Sequence, residues 1–158
     1  MDKEFIEIIA GNESLLYKVC KLYSKTEDDR KDMFQDIVLN LWRSFPSFQA
    51  KSKVTTWMYR IALNTAISHL RKQKNKQPIE QLGELAYQIP ASPTESADEW
   101  ETLYGAIEQL SPIDKAIVML YLEDHSYQEM GEIIGISASN IGFKLSKIKE
   151  KLRKTVNV

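Results

Sequence analysis

Asn140, Lys144, Lys147 and Lys151 recur at spacings of four, three and four. On a helix turning about 100° per residue they share one azimuth, with Phe143 and Lys154 on its flank. Lysine brings charge to phosphate and a carboxamide pairs with a base edge, so this face has the chemistry of nucleic-acid binding. Upstream, Lys53, Arg60, Asn64 and Arg71 stand at intervals of seven, four and seven, with Thr56 beside them. A polar loop from Gln49 to Lys53, holding Lys51 and following Phe45 and Phe48, leads into that second cationic stripe. Cations tracking a backbone beside aromatic rings suit single-stranded nucleic acid. A third constellation is mainly anionic: Asp32, Gln35, Asp36 and Arg43 share a face with Leu39 at its centre and Trp42 at its edge. An apolar residue ringed by carboxylates and an amide could dock a basic, amphipathic helix. Each face also has a plainer account, respectively a solvated lysine surface, core aromatics beside a basic face, and one exposed leucine.

The elements that carry these residues all read as helices. Ser126 with Glu129 three residues later is a capping box, Met130, Ile133 and Ile134 give an apolar face, and Gly135 ends the run. Ser137 caps the next helix, whose Ile141, Leu145, Ile148 and Leu152 form one narrow stripe to be buried. Two short helices joined by a glycine turn, the second cationic, match a helix-turn-helix, and Gly131 would let the helices approach closely. An ordinary αα-hairpin has the same pattern. Nearer the start, helices are expected over Lys3 to Ala10 and Glu13 to Ser24, broken at Gly11 and Asn12. Thr26 caps a third, with Met33, Phe34, Ile37, Val38, Leu41 and Phe45 on its core side, and Pro46 stops it. A long helix over Val54 to Lys72 turns Val54, Trp57, Met58, Ile61 and Ala62 inward.

Composition narrows the function class. Of 158 residues, 43% are hydrophobic and 27% charged, which are globular values. No run approaches the roughly 20 apolar residues of a membrane span, and "MDKEFIEIIAGNE" is acidic where a signal peptide would be basic, so a cytosolic protein without membrane insertion is expected. Cys20 is the single cysteine, and His69 and His125 lack ligand spacing, so no disulfide, metal site or cofactor is expected. No carboxylate dyad, nucleophile–base pair or phosphate-binding glycine loop points to an enzyme. The net charge of −1 conceals a strong pattern. Residues 51–79 contain seven cations and no acid, residues 77–114 contain eight acids and no cation, and a lysine-rich helix follows. Within the acidic block, "QIPASPTESADE" reads as a linker between two helical lobes.

Three segments together, "DMFQDIVLNLWRSFPSF", "TTWMYRIALNTAISHLRK" and "LSPIDKAIVMLYLEDHSYQEMGEIIGISASNIGFKLSKIKEKLRK", resemble the sigma-70 family of bacterial RNA polymerase sigma factors, in its small extracytoplasmic function (ECF) group. The resemblance implies that the helix bearing Asp32, Gln35, Asp36, Leu39 and Trp42 docks on core RNA polymerase. It implies that Phe48, Lys51, Lys53, Thr56, Trp57, Arg60, Asn64 and Arg71 capture and melt the −10 promoter element as a single strand. It further implies that Ser137, Ser139, Asn140, Phe143, Lys144, Lys147 and Lys151 bind the −35 duplex, and that the acidic linker threads a polymerase channel that later carries RNA. An anti-sigma partner is compatible with it, although no residue requires one. The chain departs from the family where an arginine usually stands at Lys144 and a basic residue often at Gly142, so the bases read at −35 do not carry over.

The expected architecture is all-α, with two small helical domains at 1–76 and 98–158 joined by an acidic flexible linker at 77–97, and a helix-turn-helix in the second. The expected function is an ECF sigma factor that gives core polymerase its promoter choice. The competing expectation is a free-standing helix-turn-helix regulator with a helical sensor lobe, which would bind duplex tightly without polymerase and dimerise on a palindrome.

Overall fold

Capping residues and one left-handed glycine set the helix ends. In the computed structural model, which describes residues 2–48, 52–76 and 98–156, these residues form α-helices, turns and one 3-10 turn, with no strand among them. The expected linker 77–97 and Lys51 lie outside the described residues. The chain divides into two compact units, Met1–Lys72 and Gln73–Val158.

The first unit holds α1 (Asp2–Gly11), α2 (Glu13–Tyr23), α3 (Glu27–Ser44) and most of α4 (Val54–Lys76). Asn12 turns the chain between α1 and α2, its Nδ2 donating to the Ile8 carbonyl at 2.8 Å. The Thr26 side chain accepts from the Asp29 N–H at 3.1 Å, which satisfies one orphan donor of α3 and is worth about 1 kcal/mol. Pro46 cannot continue α3, and Phe45–Ser47 form a 3-10 turn instead. The core is aliphatic: Leu16 and Val19 of α2, Met33, Ile37 and Leu41 of α3, and Met58, Ala62 and Ala66 of α4 are almost fully buried. Each large side chain among them contributes about 1.5–3 kcal/mol by leaving water. Cys20 is buried with them, and desolvation pushes its thiol up to about 11 despite the opposing charge of Arg30. An aromatic ladder closes one end of this core. Phe5 meets Trp42 and Phe45 edge-on at 5.1 and 5.5 Å, Phe45 lies 6.2 Å from Trp57, and Phe48 stacks on Trp57 at 4.7 Å.

The second unit holds α5 (Asp98–Glu108), α6 (Pro112–Leu122), α7 (Tyr127–Ile134) and α8 (Ala138–Val156). Ser111 caps α6 by accepting from the Asp114 N–H, and Pro112 occupies the first turn, where its missing donor costs nothing. Ser126 accepts from the Glu129 N–H at 3.1 Å, as the sequence pattern requires, while the Glu129 carboxylate meets His125 Nδ1 at 3.1 Å. Gly135 ends α7 at φ 95°, and its N–H and that of Ile136 both bond to the Gly131 carbonyl, at 2.7 and 3.1 Å. A side chain on Gly131 would place its Cβ 2.5 Å from the Ile136 carbonyl oxygen. The close approach expected at Gly131 is therefore to the turn and the start of α8. Ile141, Leu145 and Ile148 of α8 are buried, as are Ala116, Ile117 and Leu120 of α6 and Met130 and Ile133 of α7, while Leu152, the last member of the expected stripe, is half-buried.

Candidate nucleic-acid and partner interfaces

The anionic constellation on α3 borders an open apolar groove of ≈ 550 Å³ between α1 and α3. Asp2, Phe5 and Ile6 line it from α1, and Phe34, Gln35, Val38, Leu39 and Trp42 from α3. Leu39 and Trp42 are 45% and 41% exposed, so apolar surface faces solvent here. Asp32, Gln35 and Asp36 are exposed around it, and Asp36 Oδ2 meets His69 Nδ1 of α4 at 3.1 Å. Phe34 and Val38, expected on the core side of α3, are half-buried because they form the groove. Neither Phe5 nor Ile6 was foreseen at this site. Their only sequence signal is the apolar spacing of a short first helix.

Arg60, Asn64 and Arg71 of α4 and Lys53, which immediately precedes that helix, are exposed. Thr56 is 4% exposed and Trp57 8%, so neither lies on that cationic surface. Trp57 instead anchors the aromatic ladder, and Phe48 is half-buried on top of it. The usable stripe is therefore narrower than its residue spacing suggests. Polar contacts fix its neighbours: Asn40 Nδ2 donates to Thr65 Oγ1 at 2.9 Å, and that hydroxyl donates to the Ile61 carbonyl at 2.7 Å.

On α8 the expected face is assembled as the spacing requires. Ser139, Asn140, Phe143, Lys144, Lys147 and Lys151 are all exposed, and the Lys147 ammonium lies 5.6 Å from the Phe143 ring centroid. Ser137 is already committed, because its Oγ accepts from the Asn140 N–H at 3.1 Å as the cap of α8. Lys149 leaves this face: it lies 4.5 Å over the Tyr121 ring and donates to the Tyr121 hydroxyl at 3.1 Å, tying α8 to α6. The N-terminal turn thus offers an amide and a serine hydroxyl, and the following turns offer cations. Among the described residues no cluster of His, Cys, Asp and Glu could hold a metal ion, and no helix is long and apolar enough to cross a membrane.

Residues 8–76 match the family model described as Sigma-70 region 2, and residues 100–152 match Sigma-70, region 4. The chain is 27% identical over 141 residues to the ECF RNA polymerase sigma factor SigM of Bacillus subtilis (strain 168), covering 86% of each protein. It is 22% identical over 150 residues to SigM of Mycobacterium tuberculosis (strain H37Rv), covering 94% of this chain and 74% of that one. In fold it is similar to the sigma factor RpoE from Bartonella quintana, solved in complex with the anti-sigma factor NepR, with a TM-score of 0.73, 21% identity and coverage of 99% and 98%. CnrH, solved with the cytosolic domain of CnrY, gives a TM-score of 0.69 at 17% identity, covering 99% of this chain and 90% of that one.

Proposed function

This chain belongs to the sigma-70 family of RNA polymerase sigma factors, in the ECF group, and from that premise we propose how its three surfaces divide the work of initiation. It is an initiation factor that binds core RNA polymerase and directs promoter recognition. Residues 1–76 serve core binding and the −10 element, 98–158 serve the −35 element, and 77–97 link them.

The groove between α1 and α3 receives an apolar ridge of the polymerase, with Leu39 and Trp42 as anchors and Asp32, Gln35 and Asp36 steering a basic rim. This fits the usual anatomy of a protein interface, in which a few buried apolar anchors carry the energy and the charged surround sets orientation. The cationic stripe of α4 tracks the melted −10 strand. Lys53, Arg60 and Arg71 neutralise phosphates, and Asn64 offers both a donor and an acceptor. Phe48, stacked on the buried Trp57, supports a captured base. Lys51 belongs to this surface by its place in the sequence. On α8, Asn140 reads a base edge, Ser139 and the lysines hold phosphate, and Ser137 acts through the helix cap.

The single observation that carries this function is the pairing of region 2 and region 4, in that order, on one short chain. A free-standing regulator needs a duplex-binding unit but has no use for the first. RpoE and CnrH were each solved with a bound protein partner, which supports an anti-sigma partner here as well. Action on RNA polymerase supports a cytoplasmic location. The test is to mix the protein with core polymerase and assay initiation on a promoter library. Polymerase-dependent starts at a defined sequence are expected. Tight, dimeric binding to a palindrome without polymerase would support the regulator instead.

A further inference from the structure

Phe143 is the one large apolar side chain on the cationic face of α8, and it is 64% exposed. At about 100° per residue it stands almost opposite the buried stripe of Ile141, Leu145 and Ile148, so the core of the unit makes no use of it. Asn140 precedes it by one turn and Lys147 follows it by one turn. Lys147 Nζ lies 5.6 Å from the ring centroid, within cation–π range, which favours a ring lying along the face and directs the ammonium to the same edge. The adjacent position is Gly142, where a Cβ would come 3.3 Å from Tyr127 Cε2, so the Tyr127 ring leans on the helix at that point. This turn therefore presents no side chain at 142 and a bare aromatic ring at 143.

Phenylalanine has no donor or acceptor with which to read a polar base edge. One base presents an apolar group in the major groove: thymine, through its 5-methyl. Resting on the assignment of α8 to the −35 duplex, we propose that Phe143 is a specificity-determining residue that packs on a thymine 5-methyl group, with Lys147 beside the ring holding a neighbouring phosphate. The lysines on either side give affinity without sequence preference, and the ring adds preference without charge.

The test uses the full-length protein bound to core polymerase. A −35 element is first selected from randomised duplexes, and each thymine in it is then replaced by deoxyuridine, which removes only the methyl. One position is expected at which this replacement weakens binding about fourfold, the worth of one buried methyl-sized group. With Phe143→Ala, thymine and deoxyuridine at that position should bind equally and the salt dependence should not change. Phe143→Leu should retain part of the preference. Circular dichroism of both variants should match the parent, since the side chain is exposed. A selected element without a methyl-sensitive thymine, or undiminished sensitivity in Phe143→Ala, would overturn the proposal while leaving the sigma assignment standing. Failure to form a polymerase complex or to select any −35 element would overturn both.

Discussion

On α8 the whole proposed nucleic-acid face is exposed along one helix, from Asn140 through Lys151, behind a capped N-terminus. On α4 the cations are equally exposed, but of the rings assigned to the same task Trp57 is buried in the aromatic ladder, and Phe48, which precedes the helix, is half-buried on Trp57. A preformed rigid face suits a duplex, whose groove has a fixed shape. A face whose aromatic component is already stacked suits a strand that must first be unstacked, because a captured base has to add to an existing stack. The first unit also carries the apolar groove between α1 and α3, so the proposed assignment gives it both a protein-docking surface and a nucleic-acid surface. On the proposed assignment, recruitment and melting fall on one unit and duplex recognition on the other.

The largest effect should come from the groove. Leu39→Arg places a charge among apolar groups, and core polymerase affinity should fall by at least about thirtyfold, the scale of a hot-spot residue, with helical circular dichroism unchanged. Gln35→Ala should weaken it less. Unchanged affinity in a fluorescence titration would remove α3 from the interface and end the claim that the first unit recruits.

Next in size is a change confined to the second unit. Gly131→Ala would press a methyl against the Ile136 carbonyl, and about 1–3 kcal/mol of destabilisation is expected, as for other overpacked sites. Thermal unfolding should show lower stability of the helix-turn-helix, and −35 binding should fall while affinity for core polymerase through α3 is retained. Equal loss of both would contradict the separation of tasks.

That glycine shows where the sequence was legible. Thr26, Ser126 and Ser137 each cap as their spacing indicated, and Gly135 takes the left-handed turn, because these signals act within four residues of chain. The stripe Ile141, Leu145, Ile148 was equally local. What escaped notice depends on neighbours distant in sequence. Periodicity gave Thr56 an azimuth beside the cations but could not show that packing covers it. It assigned Phe34 and Val38 to the core, whereas Phe5 and Ile6 of α1 meet them across an open groove. It left His69 isolated, and tertiary folding brings it to Asp36, 33 residues away in sequence.

The finest distinction lies within α8. Asn140→Ala should relax preference at one −35 position by about 1–3 kcal/mol with little change in salt slope. Lys147→Ala should weaken binding on all sequences alike and lower the magnitude of the log-affinity against log-salt slope by about 0.9. These are measured with holoenzyme on a −35 substitution series at several salt concentrations. Indistinguishable patterns would show that base and phosphate contacts are not divided in this way.

The division between the two units is tested most directly by transcription from paired templates, one fully duplex and one premelted across the −10 element. The Arg60→Ala, Asn64→Ala double variant should form a closed complex, initiate poorly on the duplex and recover on the premelted template. The Lys144→Ala, Lys147→Ala double variant should be impaired on both, because its defect precedes melting. Recovery of both variants on the premelted template, or of neither, would contradict the assignment of melting to α4 and duplex recognition to α8.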